Sequence, residues 1–298
     1  MTRATPADIF LWLALAAMWS SSYAVIKIGL GTIDPSVLVL GRMLVGSVAI
    51  YVALKFSGMS LSRDPRHWLA YAVTGLLGSA LPFLLITWGE QTVDSALASI
   101  LMGTVPVMTL LFAAWLVPDE SMTPRMVAGV IGGLAGIVLL VGPSALSGLG
   151  GEVTGKAAII GATLCYAAST VYIRRFVKRP ALEMATGSML VGTLFMGGVV
   201  AFAGADLTSV QPTTASLGTI LYLGLFSTAC ANLIYFHLVP RLGATRMAQV
   251  NFAVPVGGAL LGVLLLEEAM TIQRLAALGI IVGSVWLGTG ARKNPADA

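Results

Sequence analysis

Trp19 and Tyr23 stand four residues apart in one apolar stretch, and Tyr166 and Thr170 repeat that spacing in another. Side chains at i and i+4 share a helical face, so each stretch would present a ring beside a hydroxyl. Around them lie Ser20, Ser21 and Ser22 in the first stretch and Cys165, Ser169 and Tyr172 in the second. Three amides, Asn232, Gln249 and Asn251, sit in further apolar stretches. An amide in hydrocarbon needs partners for both its donors and its acceptor, from a neighbouring helix or from a polar solute. This chemistry binds; it does not cleave. We expect Trp19, Tyr23, Met102, Tyr166, Thr170, Asn232 and Asn251 to face a common polar space as a substrate-binding set. Two bland alternatives stand beside this reading: hydroxyls that satisfy their own helix carbonyls, and aromatics that belong to an interfacial belt, which suits mid-span Trp19 poorly.

Arg42 is the only charge well inside an apolar stretch. A lone Arg there needs a partner; Glu267 or Glu268 is the geometric candidate, read as a structural or gating ion pair rather than a substrate ligand. Pro82, Pro106 and Pro255 each remove a backbone donor inside a stretch and are expected to act as hinges, or as static kinks. No Asp or Glu falls near the centre of a stretch, which argues against proton coupling through a buried carboxylate. The residues imply no metal and no cofactor. Asp-rich metal motifs are missing, and His67, read as a loop residue, and His237 have no convincing partner Ser, so an intramembrane enzyme is disfavoured. Cys165 and Cys230 read as packing residues, not as a disulfide.

The elements that must carry these residues are membrane spans. Hydrophobic residues are 57% of the 298 and charged residues 10%, with mean hydropathy +0.91, against roughly 25% charged in a soluble domain. At about 20 apolar residues per span, ten spans fit: 8–28, 35–56, 67–89, 94–117, 124–141, 155–174, 182–203, 216–238, 244–266 and 272–290. The first span is too long, and wrongly flanked, for a cleaved signal peptide.

The chain also matches itself. Gly75–Pro106 falls on Gly224–Pro255 at an offset of 149 residues, with Asn251 opposite Met102, and Asp119-Glu120 falls near Glu267-Glu268. Residues 1–141 are therefore read as a first five-helix repeat, 142–154 as a linker, 155–291 as a second repeat and 292–298 as a tail. Five spans per half make the halves inverted, an arrangement recurrent in secondary transporters with a midplane cavity. The fold class is all-α integral membrane: ten transmembrane helices as two inverted five-helix repeats around a central cavity.

Basic residues set the orientation. Thirteen Lys and Arg, from Arg3 and Lys55 to Arg246, Arg292 and Lys293, fall on the N-terminal side, against Lys27, Lys156 and Arg274 opposite. Both termini are expected in the cytoplasm. Topology accounts for the net charge of +4, so nucleic acid is not an expected partner; the lipid bilayer is. Small-residue ladders at Gly129, Gly132, Gly133 and Gly136 and at Gly279 and Gly283 permit close helix approach, read as packing within a monomer, with a homodimer face as the alternative.

The chain resembles the drug/metabolite transporter superfamily, in particular ten-helix members with two EamA-type repeats. The resemblance covers almost the whole chain. It rests on Trp19-Ser20-Ser21-Ser22, on Pro35 and Arg42, and on the twice-repeated order Pro106, Glu120, Thr123, Gly132 and Pro255, Glu268, Thr271, Gly279. Within that family the chain looks most like bacterial exporters of the YddG type. The resemblance implies a central cavity lined by spans one, three, four, six, eight and nine, location in a bacterial inner membrane, and export of amino acids or related metabolites. The embedded first-helix Glu of the small four-helix relatives is missing, so their proton antiport is not implied; facilitated, uniport-like transport by alternating access is expected. Multidrug or nucleoside export on the same fold, and a channel, are the competing functions.

Overall fold

A computed structural model describes residues 5–116, 123–146, 151–203, 213–242, 247 and 249–289. Arg3, Asp119, Glu120, Arg246, Arg292, Lys293 and the expected tail lie outside this set, as do residues 147–150 of the expected linker. Among the described residues the regular elements are helices: α1 (Pro6–Leu30), α2 (Pro35–Phe56), α3 (Pro65–Gly75), α4 (Leu81–Gly89), α5 (Ser95–Met102), α6 (Val105–Leu116), α7 (Pro124–Leu146), α8 (Gly151–Phe176), α9 (Ala181–Ala203), α10 (Thr214–Leu221), α11 (Ala231–Leu242), α12 (Val250–Leu266) and α13 (Ile272–Thr289). Eight stretches are long and apolar enough to cross a membrane, and Val250–Leu266 and Ile272–Gly288 are shorter apolar helices. Phe56, Trp115, Phe202 and Leu194 stand exposed on the outer wall, as side chains against lipid do.

Helix starts follow local chemistry. Thr5 and Asp8 form a capping box at α1, and Asp34 and Asp64 cap α2 and α3 ahead of Pro35 and Pro65, where proline's missing N–H costs nothing. The main packing pairs are α1 on α12, α2 on α9, α4 on α8, α5 on α12 and α7 on α13. Each joins a helix before residue 147 to one after residue 150, so the two halves interlock. Glycine permits close approach in these pairs: a Cβ on Gly129 would stand 2.7 Å from the Ser284 carbonyl oxygen.

Four details depart from the sequence reading. Helix α7 continues to Leu146 and α8 begins at Gly151, so most of 142–154 is helical. The fourth span is broken between α5 and α6 at Gly103 and Thr104. The third and eighth spans each contain a π-helical segment, Leu76–Ala80 and Tyr222–Cys230; the first of these shifted by 149 falls inside the second. Finally, α7 and α13 do pack on each other, but Gly279 and Gly283 have nothing within 4 Å beyond their missing Cβ. Gly129, Gly132 and Gly136 of α7 meet Ser284, Gly288 and Ile281 instead, and Gly133 meets Val107 of α6.

Candidate functional site

A cavity of about 560 Å³ lies among the helices. Trp19, Tyr23, Met102, Tyr166, Thr170, Asn232 and Asn251 all line it. Tyr23 comes from α1 and is 7% exposed. The Trp19 ring tilts against Tyr235, centroids 5.9 Å apart. Two of the seven are engaged within their own spans, Thr170 as the hydroxyl alternative predicts and Asn232 by a bond that neither alternative named. The Thr170 hydroxyl donates to the Tyr166 carbonyl at 2.8 Å, and the Asn232 amide donates to the Thr228 carbonyl at 2.6 Å. The Asn251 amide has no hydrogen-bond partner among the described residues and faces the cavity.

The expected ion pair of Arg42 with Glu267 or Glu268 is not formed. Arg42, on α2, is 6% exposed and also lines the cavity. Its Nε donates to Thr228 Oγ1 at 2.9 Å, and its guanidinium carbon lies 3.8 Å from the Phe83 ring centroid. Glu268 is committed elsewhere: its carboxylate accepts from the backbone N–H of Ser95 at 2.8 Å and of Ala96 at 2.7 Å. The cause is local. Glu267 takes a left-handed conformation, φ 55°, as the C-cap of α12, and Gly262 leaves room for the Glu268 carboxylate to fold back towards α5. There it satisfies two of the orphan donors of a helix start.

The prolines behave in three ways. Pro82 is buried directly after the first π segment, where the Leu81 N–H reaches back to the Leu76 carbonyl; the wider turn absorbs the missing donor. Pro106 follows the break at Gly103, and Pro255 sits inside α12. Both line the cavity. Ser20 and Ser99 hydroxyls donate, each at 3.4 Å, to the Val254 and Pro255 carbonyls, so neighbouring helices serve carbonyls around this proline.

One group escaped the sequence reading. Glu90 ends the third span but is wholly buried, and neither carboxyl oxygen has a partner. Lys27 is near, yet its ammonium donates to the Glu90 and Val93 carbonyls at 2.6 and 2.9 Å. Tyr235, Phe83 and Ser188 also line the cavity; only Tyr235 carried a signal, three residues beyond Asn232. Arg241 with Asp8, Arg179 with Glu183, Lys156 with Glu152 and Arg274 with Asp94 form ion pairs outside the cavity. His67 is not in a loop but in the first turn of α3, hydrogen-bonded through Nδ1 to the Ser62 hydroxyl at 2.6 Å. Ser62 also accepts from the Asp64 N–H, so the pair shapes the entry to α3 away from the cavity. Cys165 and Cys230 are free.

The cavity and its spans fit a carrier of small solutes, and comparison with known proteins decides the family. The model of the EamA-like transporter family matches twice, over residues 7–142 and 153–289. The chain belongs to the EamA-like transporter family. It is therefore a multi-pass membrane transporter. Several curated proteins are similar to this chain over most of their length. The uncharacterized transporter YvbV of Bacillus subtilis is 26% identical over 92% of this chain and 88% of its own. The uncharacterized inner membrane transporter YedA of Escherichia coli K12 is 29% identical over 93% and 88%. A protein of Streptantibioticus cattleyicolor named as a probable terminal-alkyne amino-acid exporter is 28% identical over 80% and 78%. A solved crystal structure shares the EamA chain's fold at TM-score 0.67, covering 96% of this chain and 97% of that one at 22% identity.

Proposed function

We propose that this protein exports amino acids or related small metabolites across a bacterial inner membrane by alternating access. Ten spans in two inverted five-helix repeats would carry the cavity, with both termini in the cytoplasm and the monomer as the working unit. The observation that carries the reading is the cavity itself: aromatic rings, hydroxyls and the free Asn251 amide converge there, where hydrocarbon would penalise them. The double family match and the amino-acid exporter relative support it.

On the proposed topology the outer ends of the spans are held together. Leu110, Ala185, Tyr235 and Met247 line the cavity between the membrane centre and the cytoplasmic side. At the outer ends, Glu268 on Ser95 and Ala96, Lys27 on Glu90 and Val93, and Arg274 on Asp94 tie helices together. Opening outward would break those links and close the cavity's inner half around the broken α5–α6 and Pro255. Transport would be facilitated, driven by the solute's own gradient. Multidrug or nucleoside export by the same cavity is the second reading, since its aromatic walls suit flat rings as well.

The test is uptake into liposomes containing the purified protein, against a panel of labelled amino acids, with nucleosides and cationic dyes as controls. Protein-dependent, saturable uptake of amino acids supports the assignment; uptake of nucleosides or dyes alone moves it to the second reading.

A further inference from the structure

We propose that Arg42 is the anchor for a carboxylate on the transported solute. The proposal rests on the reading of the cavity as the transport site and narrows its substrate class.

Among the described residues Arg42 is the only one lining the cavity that is charged at neutral pH; no described Lys, Asp, Glu or His shares the lining. Among the described residues, the space therefore holds one unit of positive charge with no counter-ion in its lining. A guanidinium taken from water without a carboxylate is costly, and a chain that needed only a structural brace could fill the position with an apolar side chain. The nearby acids do not answer it. Glu268 is held by two backbone N–H groups, Asp94 by Arg274, and no ion pair engages Arg42 among the described residues. Glu90 shares its electrostatic neighbourhood but lies outside the cavity lining.

The guanidinium is nevertheless held in place. Nε is fixed on Thr228, and the group lies across the Phe83 ring, an arrangement that orients the plane. Both terminal nitrogens remain without a hydrogen-bond partner among the described residues. An Arg fork with two free N–H₂ groups matches a carboxylate bidentately. Tyr23 and Tyr166 line the same space within electrostatic reach of Arg42, and neither hydroxyl has a protein partner among the described residues. Each could donate to the same anion.

The cavity offers a complementary pole. Helix α5 ends at Met102, and Pro106 has no N–H to return to the Met102 carbonyl. Met102 and Gly103 line the cavity, and a helix C-terminus favours positive charge. A zwitterion with its carboxylate on Arg42 and its ammonium towards this break satisfies both ends.

The test uses four related probes: phenylalanine, its decarboxylated amine phenethylamine, its methyl ester and the deaminated acid 3-phenylpropionate. Their thermal stabilisation of the detergent-purified protein reports binding, and their competition with labelled phenylalanine counterflow in proteoliposomes reports transport. The prediction is that the two carboxylates bind roughly 10- to 100-fold more tightly than the amine and the ester, the range for a charged hydrogen-bonded pair. Arg42→Gln should erase that preference and Arg42→Lys should keep part of it. If Arg42→Gln does not fold, the wild-type preference decides alone. Equal binding of ester and acid by the wild type overturns the carboxylate anchor and leaves the carrier reading standing. Carboxylate-selective stabilisation, lost in Arg42→Gln but without counterflow, keeps the anchor and removes the carrier reading. No stabilisation by any probe overturns the anchor.

Discussion

Gly103 packs against Pro255: a Cβ added at Gly103 would stand 2.7 Å from the Pro255 Cγ. The break between α5 and α6 thus rests directly on the proline of α12. Pro106 and Pro255 are separated by the 149-residue repeat offset, and both line the cavity beside this contact. Gly103→Ala forces residue 103 and Pro255 apart. Overpacking of this kind costs about 1–3 kcal/mol, so the variant should unfold at lower temperature and transport more slowly. Gly197→Ala, with nothing within 4 Å of the added carbon, should leave both unchanged. An unaltered Gly103→Ala protein would show that the joint has slack.

Glu268 is predicted to hold the start of α5 rather than to neutralise Arg42. Glu268→Ala strips two backbone donors of their acceptor and should cost about 1–3 kcal/mol, read as a lower melting temperature. Glu267→Gly should be neutral or stabilising, since residue 267 has φ 55° and glycine adopts that conformation without strain. Equal losses from Arg42→Gln and Glu268→Gln, with no additional loss in the double variant, would restore the ion pair.

For Asn251→Leu, the free amide predicts a loss of transport without a loss of folded protein in the membrane. One hydrogen bond to solute corresponds to roughly a 3- to 10-fold fall in apparent affinity. Normal transport by this variant would assign the amide no contact with the solute.

The polar faces were legible because period and cost agree. Trp19 with Tyr23, and Tyr166 with Thr170, keep helical spacing in stretches where polar groups are expensive, and all four line the cavity. Asn232 was legible as a cavity residue, but not its back-bond to Thr228, since that depends on a rotamer. The π segments were not legible: Leu76–Ala80 and Tyr222–Cys230 contain no residue type that dictates an extra residue per turn. The fate of Arg42 was hidden for another reason. It turns on the left-handed Glu267, which redirects Glu268 by a single backbone torsion. The burial of Glu90 was not legible because a span end reads as interface in sequence, whereas α1 and α8 pack over this one.

Glu90 makes the absence of proton coupling a sharp prediction. Its carboxyl is buried without a hydrogen-bond partner, so Glu90→Gln, which keeps the shape and removes the proton site, should fold as the wild type does. With equal phenylalanine on both sides of a proteoliposome and an imposed pH gradient, we expect no net accumulation. Uphill accumulation that a protonophore abolishes, and that Glu90→Gln lacks, would make this carboxyl the coupling site and overturn facilitated transport.

The central claim is that the cavity belongs to a carrier that exposes it alternately to the two sides. Counterflow tests this most directly: proteoliposomes preloaded with unlabelled phenylalanine, diluted into a trace of labelled phenylalanine. An alternating carrier predicts a transient overshoot of label above its external concentration, saturating with substrate and weakened in Asn251→Leu. Influx that only relaxes to equality, linear in concentration and indifferent to the preload, would contradict the account and describe a pore.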